Sequence, residues 1–258
     1  MKDWSAQQYL KFEDDRNRPC NDLVSRIPLE TPKTIIDIGC GPGNSTELLL
    51  NRYPNAKISG FDSSPDMIEK AKKRLPNVHF DQVDATKWLP EEPVDVLFSN
   101  AVFHWFPEHV EIMKKLFNKG LVSGGVLAIQ MPDNCSEPSH ELMKIAAEES
   151  PWAERLKGKQ RARLPPVSTY YNALASDGLA ASIDIWHTYY NVVVDNPEDI
   201  VEWVKGSGLI PFLHALDKDE QTQFLKIYTE KIAQAYPRAV DGKVLLRYPR
   251  IFIVAQRK

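Results

Sequence analysis

The sequence predicts an α/β fold built on a doubly wound, mostly parallel sheet of seven strands, with helical insertions forming a lid. Three observations lead there. An apolar run, Ile35-Ile36-Asp37-Ile38, passes into the turn Gly39-Cys40-Gly41-Pro42-Gly43 and then into a helical pattern. Apolar, strand-like runs alternate with helical ones between Thr34 and Met131, the order that lays strands in parallel. Two longer strand-like runs follow, separated by helices, and the second closes the chain.

The composition allows this fold and narrows its partners. A chain of 258 residues, 43% of them hydrophobic, can bury one sizeable core, so a single domain over 1–258 with insertions is expected. A net charge of -3 gives no reason to expect a nucleic-acid surface, and points instead to a small-molecule partner. Cys20, Cys40 and Cys135 are odd in number and form no C-x-x-C pair, which argues against a disulfide framework or a zinc site and for a reducing, cytoplasmic setting. No apolar run suits a signal peptide or a membrane span, so a soluble, unanchored monomer is expected.

Taken in order, residues 1–30 read as a helical cap, because Tyr9, Leu10, Phe12, Leu23, Val24 and Ile27 follow helical spacing, with Pro19 separating two segments. Trp4, Tyr9, Phe12, Arg16 and Arg18 would bring rings and cations over a ligand mouth; the alternative is an amphipathic helix on the sheet edge. The first strand is Thr34 to Ile38. Its three glycines let a ligand approach the backbone, while Asn44, Ser45 and Thr46 are placed to cap the helix Glu47 to Arg52. The dinucleotide fingerprint needs a glycine where Asn44 stands, and here an acid, Asp37, precedes the first glycine. A nicotinamide or flavin site and a merely structural turn stay open on these residues alone.

The second strand, Lys57 to Phe61, ends in Asp62-Ser63, ahead of a helix Asp66 to Arg74. At that sheet edge a carboxylate can accept both hydroxyl hydrogens of a ribose, so Asp62 reads as a ligand rather than a helix cap. Met67 could lie on an adenine face, or in the core. The third strand, Val78 to Val83, leads to Asp84 and Ala85, which suit an adenine amino group and a backbone donor; the bland alternative for Asp84 is a turn acid. Trp88 would wall the same cleft. The fourth strand, Val94 to Ser99, runs into Asn100-Ala101-Val102-Phe103-His104-Trp105, a loop placed to face the transferred group and the substrate. A helix Val110 to Lys119 and a fifth strand, Val126 to Met131, complete the alternation.

Residues 132–181 then read as an inserted helical lid carrying Lys157, Lys159, Arg161 and Arg163, with Tyr170-Tyr171 opening its last short helix. A sixth strand, Ser182 to Val194, is followed by a second helical insertion over 196–240, with helices Pro197 to Lys205 and Lys218 to Tyr236, and by the last strand, Val244 to Gln256.

The D-x-G-x-G-x-G order of Asp37 to Gly43, the strand-end acids Asp62 and Asp84, and the loop after the fourth strand together resemble the class I S-adenosylmethionine-dependent methyltransferases. The resemblance implies a Rossmann-like sheet whose last strand is antiparallel. It also implies S-adenosylmethionine as cofactor, held by Asp37, Gly39, Gly41, Gly43, Asp62, Ser63, Met67, Asp84, Ala85 and Asn100. Further peptides look like those of the trans-aconitate 2-methyltransferase family: Trp4-Ser5, Tyr9-Leu10-Lys11-Phe12-Glu13, Arg16-Asn17-Arg18-Pro19, Asn100-Ala101 with His104-Trp105, the run Glu202 to Leu209, and the run Tyr248 to Ala255. That likeness implies methyl transfer to a carboxylate of a tricarboxylic acid, trans-aconitate.

A carboxylate is already ionised near neutral pH, so no general base is required, and His104 and Trp105 are expected to align the reactants. Cations must anchor the carboxylates that do not react; the candidates are Arg16, Arg18, Arg161, Arg163, Arg247 and Arg250. Arg16 and Arg18 are favoured by their place in the cap, and Arg163 by the prolines beside it, with His104, Trp105, Tyr170 and Tyr171 as further contacts. Two rivals remain: a methyltransferase acting on a carrier-bound carboxylate, docked through Lys70, Lys72, Lys73 and Arg74, and a cofactor-binding regulatory protein without turnover.

Overall fold

The computed structural model describes residues 13–149 and 151–258, with side chains from Asn17 onward. Trp4, Tyr9, Phe12 and the side chain of Arg16 lie outside the described residues. The chain divides into two compact units.

The first unit, residues 13–132, 164–188 and 250–258, holds the sheet core. Helix α1, Glu13–Ser25, precedes β1 (Thr34–Ile38), α2 (Asn44–Arg52), β2 (Lys57–Asp62), α3 (Pro65–Arg74), β3 (His79–Gln82), β4 (Val94–Asn100), α4 (His109–Lys119) and β5 (Leu121–Pro132). Beyond residue 163 this unit adds a helix, Val167–Ala175, and parts of two long strands, β6 (Ala180–Val194) and β7 (Val244–Arg257). Within the sheet the order is β3-β2-β1-β4-β5-β7-β6. Neighbours from β3 to β5 run parallel, and β7 is antiparallel to β5, as the family resemblance implies. The strand order reverses between β1 and β4, which leaves a crevice beyond their carboxyl ends. Ile35, Ile38, Val96, Leu97 and Phe98 are wholly buried, as expected of strands covered on both faces.

Three local expectations change. Pro19 does not separate two helices, since α1 runs through it. Cys20, Leu23 and Val24 bury the helix beyond it, which offsets the one hydrogen bond that proline removes. Helix α2 begins at Asn44, with Gly43 as its N-cap at φ 91 and no side-chain cap. Strand β5 begins at Leu121 rather than Val126, because Val94 pairs with Leu121 across a register shift that Gly124 allows at φ 79.

The second unit, in its described part, comprises residues 133–163 and 189–249. It is mostly helical: α5 (Pro138–Glu148), α6 (Ala153–Leu156), α8 (Pro197–Lys205), α9 (Ile210–Leu213) and α10 (Lys218–Ala235). Helix α10 packs on α5 and α8, and Phe224 at its centre meets the rings of Trp152, Phe212 and Tyr228. Capping boxes at Asn196 and Asp217 start α8 and α10. In the turn after α8, a Cβ on Gly208 would sit 2.9 Å from both His140 Nε2 and Met143 Cε. The Gly206-Ser207-Gly208 peptide therefore serves helix packing. Helix α7, Val167–Ala175, belongs instead to the sheet unit, against α4, so the expected insertion 132–181 is not one body.

Candidate active site

The turn after β1 is built from inside outward. Asp37 is wholly buried, and its Oδ2 accepts from Ser45 Oγ and Thr46 Oγ1, each at 2.7 Å. Those hydroxyls, expected to cap α2, are drawn beneath it by the carboxylate. Oδ1 of Asp37 is buried with no hydrogen-bond partner among the described residues. Burial above all pushes the Asp37 carboxyl up to about 6; the two hydroxyls pull it down and the nearby Asp62 charge adds to the rise.

The glycines do different work from one another. Gly39, at φ 69, is tightly covered, since a Cβ there would lie 2.4 Å from Val102 Cγ2. Gly43 faces Ala71 of α3, whose Cα would be 3.3 Å from an added Cβ. Gly41 alone of the three has nothing within 4 Å of that position, so it is the one whose missing side chain leaves room for a ligand. The expectation that all three admit a ligand is corrected: two of them admit the protein itself.

Asp62, half-buried at the end of β2, reaches across this turn. Its Oδ2 accepts from the Gly41 amide at 3.0 Å and its Oδ1 from the Ser64 amide at 2.9 Å. Ser64 caps α3 by accepting from the Met67 amide, which leaves Asp62 for another task. Ser63 is exposed beside it. Met67 is 5% exposed on the first turn of α3, so the core alternative, rather than an adenine contact, describes it. Asp84 is exposed beyond β3, where Thr86 donates to it from both backbone and side chain and holds its carboxyl below the usual range. Ala85 next to it is buried, and Trp88 packs on Phe61 at 4.5 Å between ring centroids.

The end of β4 carries the clearest backbone strain. Ala101 has φ 62, the one positive value outside glycine among the described residues, in a region that costs an L-residue about 1–2 kcal/mol. Its amide donates to the Gln130 carbonyl at 2.9 Å, which pins the strained loop to β5. Asn100, just before it, has its side-chain Oδ1 buried without a partner among the described residues. A one-turn 3₁₀ helix, Phe103–Trp105, follows, in which His104 is buried and its ring lies 4.7 Å from that of the half-buried Trp105.

Tyr170, expected to meet the substrate, is placed in the core of the sheet unit. It is 1% exposed, and its hydroxyl lies 2.9 Å from His109 Nε2. His109 Nδ1 faces the Phe106 carbonyl at 2.8 Å, which only accepts, so Nδ1 carries the proton and the Tyr170 hydroxyl donates to Nε2. Tyr170→Phe is therefore expected to lower unfolding free energy by about 1–3 kcal/mol in urea titration while leaving kinetic constants unchanged, since it strands a buried acceptor.

Comparison with known proteins follows these features. A family model described as a methyltransferase domain matches residues 29–196. Relatives named trans-aconitate 2-methyltransferase from Rhodopseudomonas palustris BisB5 and Rhizobium rhizogenes are each 51% identical over 257 residues, covering 99% of both chains; one from Afipia carboxidovorans is 52% identical over 259 residues, covering 100% of both. The chain belongs to the trans-aconitate 2-methyltransferase family. Solved structures share its fold at low identity. The YcgJ protein of Bacillus subtilis has a TM-score of 0.62 at 14% identity, covering 94% of this chain and 99% of its own. A Haemonchus contortus phosphoethanolamine N-methyltransferase 2, solved with S-adenosyl-L-methionine, has a TM-score of 0.55 at 16% identity, covering 92% of this chain and 52% of its own.

In this methyltransferase the arginines are placed unequally. Arg18 is exposed on α1. Arg163 belongs to the helical unit and is 67% exposed in an ion pair with Glu141 at 3.0 Å, so it is a surface charge rather than a held anchor. Arg247, on the same unit, lies 4.3 Å over the Tyr189 ring. Arg161 donates to Asn134 Oδ1 at 3.0 Å, and Arg250 is buried at the end of the sheet. In the basic run of α3, Lys70, Lys73 and Arg74 are paired to Asp66, Glu69 and Glu47, as on a solvated helix face.

Sequence reasoning missed three contributors to the site. Asn17 accepts from Asn44 Nδ2 at 2.8 Å and ties α1 to the start of α2. Val102 packs on Gly39, and Gln130 holds the strained loop through its carbonyl. Only the Arg16-Asn17-Arg18 peptide had drawn notice, and for its charges.

Proposed function

We propose that this chain transfers the methyl group of S-adenosylmethionine to a carboxylate of trans-aconitate, releasing the monomethyl ester and S-adenosylhomocysteine. The observation that carries the choice of cofactor is the start of α2. In a dinucleotide site this helix end receives a pyrophosphate. Here Asn44 is held by Asn17, Ser45 and Thr46 are turned inward, and a buried carboxylate, Asp37, lies beneath them. That arrangement repels phosphate and suits a nucleoside without one. The carboxylate of Asp62, held at the Gly41 turn, suits a ribose, Gly41 leaves space for the ligand, and Asp84 and Ala85 follow β3, the next strand end. The choice of acid rests on the full-length relatives of that name.

When bound, the cofactor supplies an electrophilic sulfonium methyl that an ionised carboxylate takes without a base. The chain's task is alignment, for which preset geometry contributes on the order of 7–11 kcal/mol in favourable systems. His104, Trp105 and Asn100 beyond β4 are positioned for it. The reading places a monomer acting on a small acid in the cytoplasm, a compartment that suits three buried, unpaired cysteines.

Methyl-labelled cofactor, incubated with the protein and a panel of di- and tricarboxylic acids and malonyl carrier protein, tests this by product mass. A labelled monomethyl trans-aconitate is expected; no ester from any acid overturns the reading. Asp62→Asn is expected to weaken S-adenosylhomocysteine binding roughly 10- to 100-fold by calorimetry, because the amide can accept with only one oxygen. At saturating cofactor, kcat should hold within a few-fold. A Kd within threefold of the parent's would remove Asp62 from the site.

A further inference from the structure

We infer that Arg250, with Gln130, forms the subsite that holds a non-reacting carboxylate of the methyl acceptor, an inference that rests on the carboxylate-methylation reading. The argument begins with register. Asn100 pairs with Gln130 across β4 and β5, while Gln130 pairs with Phe252 and Pro132 with Arg250 across β5 and β7. Partners across a ladder share a face, and so do residues two apart along a strand, so Asn100, Gln130 and Arg250 lie on one face at the carboxyl ends of β4 and β5. This is the edge where an open α/β sheet takes its ligand, one residue from the strained Ala101.

The chemistry of Arg250 and Gln130 fits an anion. Arg250 is 4% exposed and stays charged at any working pH, since a guanidinium does not deprotonate in proteins. One of its five N–H groups donates to Gln130 Oε1 at 3.3 Å, which fixes the fork against the strand. Gln130 is itself wholly buried, and its Nε2 has no hydrogen-bond partner among the described residues. A carboxylate seated here would receive donors from the guanidinium and from Gln130 Nε2. A surface arginine such as Arg163, 67% exposed, would have to order a long side chain to do the same. Arg250 is ordered in advance, which lessens the entropy lost on binding.

The test compares Arg250→Gln with the parent, using trans-aconitate and analogues in which each non-reacting carboxylate is replaced by a carboxamide. The expected result is a KM for trans-aconitate raised on the order of 100-fold, with S-adenosylhomocysteine Kd within twofold. One carboxamide analogue, poor for the parent, should be bound no worse than trans-aconitate by Arg250→Gln. That loss of discrimination marks contact, since a merely structural arginine would leave the penalty of each analogue unchanged. Gln130→Met, which keeps the charge, should raise KM about 5- to 10-fold. If Arg250→Gln does not fold, Gln130→Met with the same analogues decides. A KM within threefold of the parent's, or unaltered penalties for every analogue, overturns the assignment. Should the parent esterify no acid, the methylation reading fails by itself, and calorimetry of trans-aconitate on the S-adenosylhomocysteine complex of parent and Arg250→Gln still tests the subsite.

Discussion

Replacing Gly39 by alanine is expected to lower the unfolding free energy by roughly 2–5 kcal/mol and to weaken cofactor binding with it. Two separate effects add. At φ 69 the residue lies in the left-handed region, which costs an alanine about 1–2 kcal/mol. The new Cβ would also meet Val102, with Cγ2 at 2.4 Å, Cγ1 at 2.8 Å and Cβ at 3.1 Å. Because Cβ of Val102 is itself within reach, rotating the valine cannot clear the overlap, and the backbone after β4 has to move. Overpacking of that kind costs about 1–3 kcal/mol. The displaced segment carries Ala101, His104 and Trp105, so damage to stability and to the site should appear together. Gly41→Ala separates the two effects, since its φ of 55 imposes the conformational penalty with nothing within 4 Å. Adding Val102→Ala to Gly39→Ala should recover part of the loss, because two of the three clashing atoms disappear. Urea titrations of the four proteins measure this, and a Gly39→Ala variant no less stable than Gly41→Ala would refute the packing argument.

Why some of this was legible in the sequence and some was not follows from the range of the forces involved. Strand ends announce themselves locally. An acid after a buried apolar run, as at Asp62, has few reasons to be there, and its expected place beside the glycine turn is where the structure puts it, on the Gly41 amide. The start of β5 was misjudged by five residues, because a pair of glycines reads as a turn whether or not a ladder continues through it, whereas β3 differs by one residue at each end. Side-chain roles set by distant residues were not legible. Tyr170 read as a site aromatic because nothing near it in sequence reveals His109, 61 residues away, as its partner. Ser45 and Thr46 read as caps because local rules favour a helix N–H, whereas a buried carboxylate at Asp37 binds their hydroxyls more strongly. The arginines are alike as letters. What separates exposed Arg163 from buried Arg250 is the pairing of β7 with β5, a contact between residues more than a hundred positions apart.

The same buried carboxylate leads to the second large expected effect, a dependence of stability on pH that belongs to one residue. Asp37 has its carboxyl pushed up to about 6 from an ordinary value of 3.8, with burial the leading cause. The folded state thus holds a proton that the unfolded chain releases at lower pH. Stability contributed by this group is full below about pH 4, falls as pH rises through the interval, and levels off above about pH 6. A shift of this size amounts to roughly 3 kcal/mol. Asp37→Asn cannot titrate, and its carbonyl can still accept from Ser45 and Thr46, while its amide takes the place of the unmatched Oδ1. The variant may be compared with the parent by urea titration between pH 4 and pH 7.5, where the other carboxylates cancel in the difference. The parent should lose about 3 kcal/mol relative to Asp37→Asn across that range, and a difference that stays flat would show that Asp37 is ionised in the folded protein throughout. Since the charge that raises the cost is the one beneath the α2 terminus, the same titration repeated with S-adenosylhomocysteine reads the coupling between that charge and the cofactor. Under the proposed cofactor reading, the α-ammonium group of the ligand favours the ionised acid, so saturating ligand is expected to move the transition to lower pH.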